Sequence, residues 1–303
     1  MTRIALATAI ATAAQDEDMP ALLDACARAD LRAEVRAWDD PTVSWARYDA
    51  VVLRSPWDYH LRRDAFLRWC ERVGRAGRLF NPVELVRWNT DKRYLADLEA
   101  AGVPVVPTRF VDPETDADVE PMAVVEAFLD AHHGASGFVV KPAVSAGSHD
   151  TCRYRREQTF AAANHLGSLL GAGRSAMLQP YLDAVDTHGE TALLYFDGTL
   201  SHAIRKAALL RPDAAAVDHT GLPDAIAPRR PEADEQAVGE RVLAALRARG
   251  DAPPLYARVD LIRDAAGAPR LLELELTEPS LFFAEAPGAA DRFVDALIRR
   301  LQA

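Results

Sequence analysis

Three acids set on two short apolar runs near the C-terminus constrain this chain more than any other feature. Tyr256-Ala-Arg-Val-Asp260 and Leu272-Glu-Leu-Glu275 lie in segments 255–262 and 270–276, both rich in Leu, Ile and Val, with Ala266-Gly267-Ala268 supplying a turn between them. This pattern predicts a β-hairpin. Side-chain direction repeats every two residues along a strand, so Glu273 and Glu275 share a face. If that face is buried, its carboxylates require a compensating charge, because an unpaired ion out of water is very costly. Hard oxygen ligands of this kind suit Mg²⁺, which keeps several waters and is completed by substrate phosphates. A solvent-facing acidic strand has the same spacing, and spacing alone leaves both readings open.

Composition narrows the class. With 303 residues, 49% of them hydrophobic and 26% charged, the chain is long enough for two or three domains with real cores. A net charge of -10 and the lack of any Lys/Arg run argue against a nucleic-acid partner, because phosphate neutralisation needs a basic face. No apolar run is long enough to span a bilayer; Ile4 to Ala14 could pass for a short signal segment, but a buried first strand explains it better. Cys26, Cys70 and Cys152 are odd in number and far apart, which speaks against a disulfide framework or a cysteine metal site. The expectation is a cytoplasmic protein with reduced thiols.

Strands and helices alternate at first. Ile4–Thr8, Ala33–Trp38 and Ala50–Arg54 read as buried strands separated by helical patterns at 19–29 and 62–73, so residues 1–88 predict an open parallel α/β sheet. Such sheets bind ligands beyond the C-terminal ends of their strands. Arg54-Ser-Pro-Trp-Asp-Tyr-His60 follows the third strand directly, which makes Arg54, Trp57 and Asp58 candidate substrate contacts; alternatively, Arg54 simply pairs with Asp58. Asp16-Glu-Asp18 could reach the same crevice, or could only cap the helix starting near Pro20. Asn89-Thr-Asp-Lys-Arg-Tyr-Leu95 reads as the start of another helix, with Thr90 or Asp91 as N-cap and Lys92 in the first turn. In Gly137-Phe-Val-Val-Lys-Pro-Ala-Val-Ser-Ala-Gly-Ser148 a strand ends on Lys141 and a loop of small residues follows. The amides of such a loop can approach phosphate closely, with Ser145 and Ser148 adding hydroxyl donors and Lys141 a point charge. It is not a P-loop, since the lysine precedes the loop. Residues 176–182 read as a further strand, 232–249 and 289–301 as amphipathic helices, and 207–230 as a mobile loop and candidate lid. In the strand Leu200–Lys206, His202 and Lys206 share one face and Arg205 takes the other.

The order of these motifs resembles the ATP-grasp ligases over nearly the whole chain. The Tyr-Ala-Arg-Val-Asp and Glu-x-Glu strands resemble the metal site of D-alanine-D-alanine ligase. The combination of Arg-Ser-x-Trp-Asp-Tyr, Asn-Thr-Asp-Lys-Arg-Tyr-Leu and Glu-Leu-Glu-Leu-x-Glu-Pro-Ser is most similar to the glutathione-synthetase-like branch that includes the O-ureido-D-serine cyclo-ligases. The resemblance implies an α/β (α+β) ATP-grasp fold with three parts. These are an N-terminal open parallel-sheet domain (1–88), a small central lid domain (89–182) and a C-terminal antiparallel sheet that binds metal and ATP (183–303). It implies ATP and Mg²⁺ as cofactors, two ions with Mn²⁺ able to substitute, the metal offsetting the acidity of the site.

By the same resemblance, Asp260 and Glu273 bind metal. Glu275 stands where the family usually has Asn, so its role as a ligand is less secure. Arg258, Lys206 and Arg205 meet the transferring phosphate or the substrate carboxylate, and Lys92 and Lys141 meet the nucleotide phosphates. Gln179, Tyr181 and Leu182 occupy the place that reads adenine, Glu190 the place that holds ribose, and Glu278 and Ser280 lie in a substrate-contacting loop. The implied reaction activates a small carboxylate as an acyl phosphate and joins it to an amine-type nucleophile, as an amide or a ring. Other carboxylate-amine ligases, an ATP-dependent phosphotransferase and a non-catalytic nucleotide sensor are the alternatives. The implied partners are small molecules, with a homodimer as an allowed assembly and no membrane or nucleic acid.

Overall fold

The computed structural model describes residues 2–116, 118–208, 210, 226–250 and 253–302. Its first layer contains β1 (Arg3–Thr8), α1 (Met19–Arg28), β2 (Arg32–Ala37), β3 (Ala50–Ser55), α2 (Arg63–Ala76) and β4 (Arg78–Phe80). The strands pair in parallel in the order β2-β1-β3-β4. β3 is buried along its whole length, and β1 throughout except Arg3, as expected of parallel strands covered on both faces. The three-residue β4 was not anticipated; it is too short to carry a periodic signal.

Two short helices follow, α3 (Val83–Asn89) and α4 (Tyr94–Ala100). They correct the reading of 89–95 as a helix start: α3 ends at Asn89, α4 begins at Tyr94, and Lys92 lies in the break. The break has a tertiary cause. The Asn89 side chain donates to the Leu274 carbonyl at 2.7 Å and accepts from the Leu276 amide at 2.7 Å, while the Lys92 amide donates to the Ala143 carbonyl at 2.9 Å.

The central layer is a four-stranded antiparallel sheet of β5 (Arg109–Val111), β6 (Gly137–Pro142), β7 (Cys152–Arg155) and β8 (Ala176–Pro180), ordered β5-β8-β6-β7. Its helices, α5 (Pro121–Ala131) and α6 (Thr159–Gly171), pack on it around Phe128, Phe138 and Leu166. The short α7 (Val185–His188) leads into the third sheet, formed by β9 (Glu190–Phe196), β10 (Thr199–Lys206), β11 (Ile226–Arg229), β12 (Tyr256–Arg263) and β13 (Pro269–Glu275). This antiparallel sheet runs β11-β10-β9-β12-β13, with α8 (Ala233–Ala248) on one face. The expected lid at 207–230 falls mostly outside the described residues; within it, 226–229 is strand β11.

The final helix, α9 (Ala289–Gln302), buries Phe293, Val294 and Leu297 in a core shared with Leu22 and Cys26 of α1 and Leu194 of β9. The first and third sheets therefore hold one apolar core between them. All three cysteines are free and buried.

Candidate active site

The predicted hairpin forms, with Asp260 opposite Glu273 and Arg258 opposite Glu275 across β12 and β13. β13 lies at the edge of its sheet and would otherwise offer unpaired backbone groups. Asn89 and the Tyr94 hydroxyl occupy that edge, the latter accepting from the Leu274 amide at 2.9 Å. The residues that fix the sheet edge thus flank Lys92, which brings the lysine to the acids. Its Nζ lies 3.0 Å from Glu273 and donates to the Ser145 carbonyl at 2.9 Å.

The acids border a cavity of about 850 Å³ between the central and third sheets, closed on one side by the first layer. All predicted site residues line it except Arg54 and Arg205. Lys206 Nζ donates to Asp260 at 3.0 Å and also pairs with Glu190. Arg258 contacts both oxygens of Asp260 at 2.8–3.1 Å and pairs with Glu275. Lys141, next to last in β6, lies on the opposite wall, where Val139, Gln179, Tyr181 and Leu182 also face the space. The Gln179 amide donates to the Thr108 hydroxyl at 2.9 Å, and the Arg153 guanidinium lies 3.3 Å from the Tyr181 ring centre. In the small-residue loop the Ser145 hydroxyl donates to the His149 carbonyl, and Ser148 adopts φ 59°. The Ser280 carbonyl accepts from Arg258 at 3.3 Å.

Electrostatics in this cavity are unbalanced. Nine carboxylates line it, Glu190, Asp260, Glu273, Glu275 and Glu278 at its centre with Glu17, Asp18, Asp58 and Glu285 around them, against Lys92, Lys141, Lys206 and Arg258. Burial pushes Asp260 up, but Arg258 and Lys206 outweigh it and hold the carboxyl at about 2. Glu275 goes the other way: burial outweighs Arg258, and the charge of Asp260 and Glu273 adds to it, lifting Glu275 to about 8. Glu190 and Glu278 rise to about 7, mainly through burial, and burial lowers Lys141 to about 8. Surplus buried carboxylate of this kind fits a divalent cation, whose positive charge would reverse these upward shifts. Among the described residues, the acids are not drawn into one coordination sphere; the chain's own lysines and arginine stand against them.

A consequence for stability follows from Glu275. Its folded pKa lies above the ordinary carboxylate value, so its cost appears as pH rises through about 4.5 and grows to about pH 8. Glu275→Gln removes that cost. With its side chain 20% exposed, the expected gain without nucleotide or metal at pH 7.5 is on the order of 1 kcal/mol. It is read as a higher thermal midpoint that converges on the wild-type value below pH 4.5. A lower midpoint at pH 7.5 would show that the ion pair with Arg258 outweighs the burial.

Two expected contacts need correction. Arg54 is fully buried beneath the cavity wall, 3.6 and 3.5 Å from Asp16 and Asp18, and donates to the Pro279 carbonyl. Its expected alternative partner, Asp58, instead accepts from Trp38 Nε1 at 2.9 Å and pairs with Arg62. Arg205 points away from the cavity and donates to the Thr187 and His188 carbonyls at the end of α7. Of the two readings of Asp18, crevice residue or helix cap, the first holds: it lines the cavity and makes no side-chain cap bond. Its carboxylate accepts from the backbone amides of Leu281, Phe282 and Phe283 at 2.6, 3.2 and 2.8 Å. Phe282 there has φ 52° and ψ 47°. On the first-layer side, Trp57 Nε1 donates to the Glu278 carbonyl at 2.9 Å. Two further wall residues, His60 and His149, were missed; their rings lie 5.2 Å apart, and lone histidines carry no spacing signal.

Two antiparallel sheets gripping a cavity lined with lysines and acids, beside an open parallel sheet, define an ATP-grasp ligase. A D-alanine-D-alanine ligase from Bacillus anthracis has this fold at TM-score 0.66 and 14% identity, covering all of this chain and 98% of that one. Residues 4–81 match the family model for the N-terminal domain of the D-cycloserine synthetase DcsG. The chain is 46% identical to the cycloserine biosynthesis protein DcsG of Streptomyces lavendulae over 99% of both sequences. The crystal structure of D-cycloserine synthetase DcsG superposes at TM-score 0.91 with 45% identity, again covering 99% of each chain. The chain belongs to the DcsG family of ATP-grasp ligases.

Proposed function

We propose that this protein closes the ring of cycloserine from O-ureido-D-serine at the expense of ATP. The observation that carries this reading is the 46% identity to a cycloserine biosynthesis protein along 99% of both chains. ATP lies in the cavity with its adenine against Val139, Tyr181 and Leu182, Gln179 near its polar edge and Glu190 toward the ribose. Its phosphates face Lys92, Lys141 and the loop of Ser145 and Ser148, whose positive charges and donors suit them. Asp260 and Glu273, with Glu275, would hold divalent metal: two Mg²⁺ ions, with Mn²⁺ as a substitute. Such ions, when bound, neutralise charge on the β- and γ-phosphates.

The substrate carboxylate attacks the γ-phosphate and forms an acyl phosphate. Arg258 and Lys206 spread the charge of the transferring group, since positioning and electrostatics dominate phosphoryl transfer. The side-chain nitrogen of the same molecule then attacks the acyl carbon, and phosphate leaves as the ring closes. Ring closure leaves the carbamoyl group on the ring nitrogen, and its hydrolysis by one water then gives cycloserine, carbon dioxide and ammonia. Exclusion of water within the closed cavity protects the acyl phosphate.

The test is phosphate release from Mg-ATP with O-ureido-D-serine, followed by mass spectrometry of the product. A cycloserine mass is expected, with Glu273→Ala lowering turnover by about 10²- to 10³-fold, the range for removal of one electrostatic group at a transition state. Release of ADP with phosphate retained on the product would identify a phosphotransferase instead.

A further inference from the structure

Glu278 sits where the first layer meets the third sheet. Its carbonyl is held by Trp57 Nε1, and the next carbonyl, that of Pro279, by Arg54. The Tyr59 hydroxyl lies close to its carboxyl, and both residues are buried, at 8% and 3% exposure. The remaining buried carboxylates on the cavity wall are matched by the chain: Glu190, Asp260, Glu273, Glu275 and Asp58 by a lysine or arginine, and Asp18 by three backbone amides. Glu278 differs from all of these. Among the described residues no lysine, arginine or histidine pairs with it, and the nearby Lys92 is already spent on Glu273 and the Ser145 carbonyl.

A buried carboxylate without a cation is costly, so a partner is needed from outside the chain. Position decides which partner. Glu278 is fastened by Trp57 and flanked by Tyr59, both beyond the C-terminal end of β3, where open parallel sheets receive their ligands. The nucleotide wall, with Lys141 and Gln179, belongs to the central sheet. One hydroxyl from Tyr59 leaves most of the acceptor capacity of a carboxylate, about four lone-pair sites, for a donor in the cavity.

We infer that Glu278, oriented by Tyr59, binds the α-ammonium group of the amino-acid substrate and selects compounds that carry one. This inference rests on the ligase reading above. Glu278 makes no bond to the reacting atoms in this role; it fixes the substrate while the carboxylate, one carbon away from the ammonium, faces the γ-phosphate. The selected class is α-amino acids over the corresponding desamino acids.

The experiment compares O-ureido-D-serine with 3-(ureidooxy)propanoate, which keeps the carboxylate and ureido group but lacks the ammonium. Phosphate release at saturating Mg-ATP is measured for the wild type, Glu278→Gln and Tyr59→Phe. Charged hydrogen bonds in buried sites set the expected size, roughly a 10- to 100-fold fall in kcat/KM for the wild type on losing the ammonium. Glu278→Gln should show a comparable fall with O-ureido-D-serine, carried mainly by KM, and little further change with the desamino compound. Tyr59→Phe should show a smaller loss confined to O-ureido-D-serine. Both variants should keep the wild-type affinity for ADP and the wild-type dependence on Mg²⁺.

The inference fails if Glu278→Gln impairs both compounds equally, or if added Mg²⁺ restores its activity, which would make Glu278 a metal ligand. It also fails, with the ligase reading intact, if the wild type uses both compounds equally well. A wild type that binds ADP yet turns over neither compound overturns the substrate reading and the inference together.

Discussion

Asp260→Asn is expected to lower turnover by at least about 10³-fold, more than any other single change in the cavity, because one carboxylate serves several charges at once. It touches Arg258 through both of its oxygens and Lys206 at 3.0 Å. Losing it removes a candidate metal ligand and frees both cations from the geometry proposed to receive the transferring phosphate. Arg258 keeps Glu275 and Lys206 keeps Glu190, so neither base is left entirely without an acid. The fold should therefore persist, with a thermal midpoint lower by a few degrees. Steady-state phosphate release, paired with calorimetric titration of ADP, separates the effects: kcat should collapse while nucleotide binding weakens by about tenfold or less, about 1.4 kcal/mol. Turnover within tenfold of the wild type would contradict the central place given to this residue.

Asp18→Ala is expected to be the most destabilising single change in the first layer. Its carboxylate satisfies three buried amides at 281–283, and each amide left unpaired costs about 1–3 kcal/mol. Arg54, fully buried and 3.5 Å from Asp18, would retain only Asp16 nearby. Partial relaxation reduces the sum to about 3–5 kcal/mol, the range for removing one member of a buried charge network. Thermal unfolding should report a midpoint several degrees lower. Asp18→Asn, whose amide oxygen can still accept, should recover part of the loss. Activity should fall with Asp18→Ala as well, since the same backbone carries Ser280 and leads back to Glu278. A midpoint within a degree of the wild type would mean that the loop finds its shape without the acid.

What the sequence revealed depended on the range of each interaction. The hairpin of β12 and β13 was legible because alternation, a glycine turn and apolar content are all local, and Glu273 and Glu275 duly share the cavity wall. The parallel strands β1 and β3 were legible as continuous apolar runs, whereas β2, Arg32-Ala-Glu-Val-Arg-Ala37, forms as expected but none of its residues is buried, because charged side chains alternate along it. The same alternation put Lys206 and Arg205 on opposite faces of β10, although both had been expected to meet substrate. Contacts distant in sequence were hidden. The break at 90–93 is held by Asn89 bonding to strand backbone 185 residues away, which looks locally like an ordinary helix start. Arg54 had a visible acid four residues on, but its partners lie 38 and 36 residues upstream, in Asp16 and Asp18. The shortage of a cation at Glu278 was only half legible: residues 271–291 contain no lysine or arginine, but whether a distant base reaches the carboxylate is a property of the assembled cavity.

The clasp between Asp18 and the amides of 281–283 joins residues 263 to 265 positions apart. During synthesis, at about 5–20 residues per second, the first sheet would be exposed many seconds before its partner loop leaves the ribosome. Until then Arg54 and its two acids have no Pro279 carbonyl to meet, and the apolar face of α1 awaits α9. The clasp and the cavity wall beside it are therefore completed only once residues 281–283 have emerged.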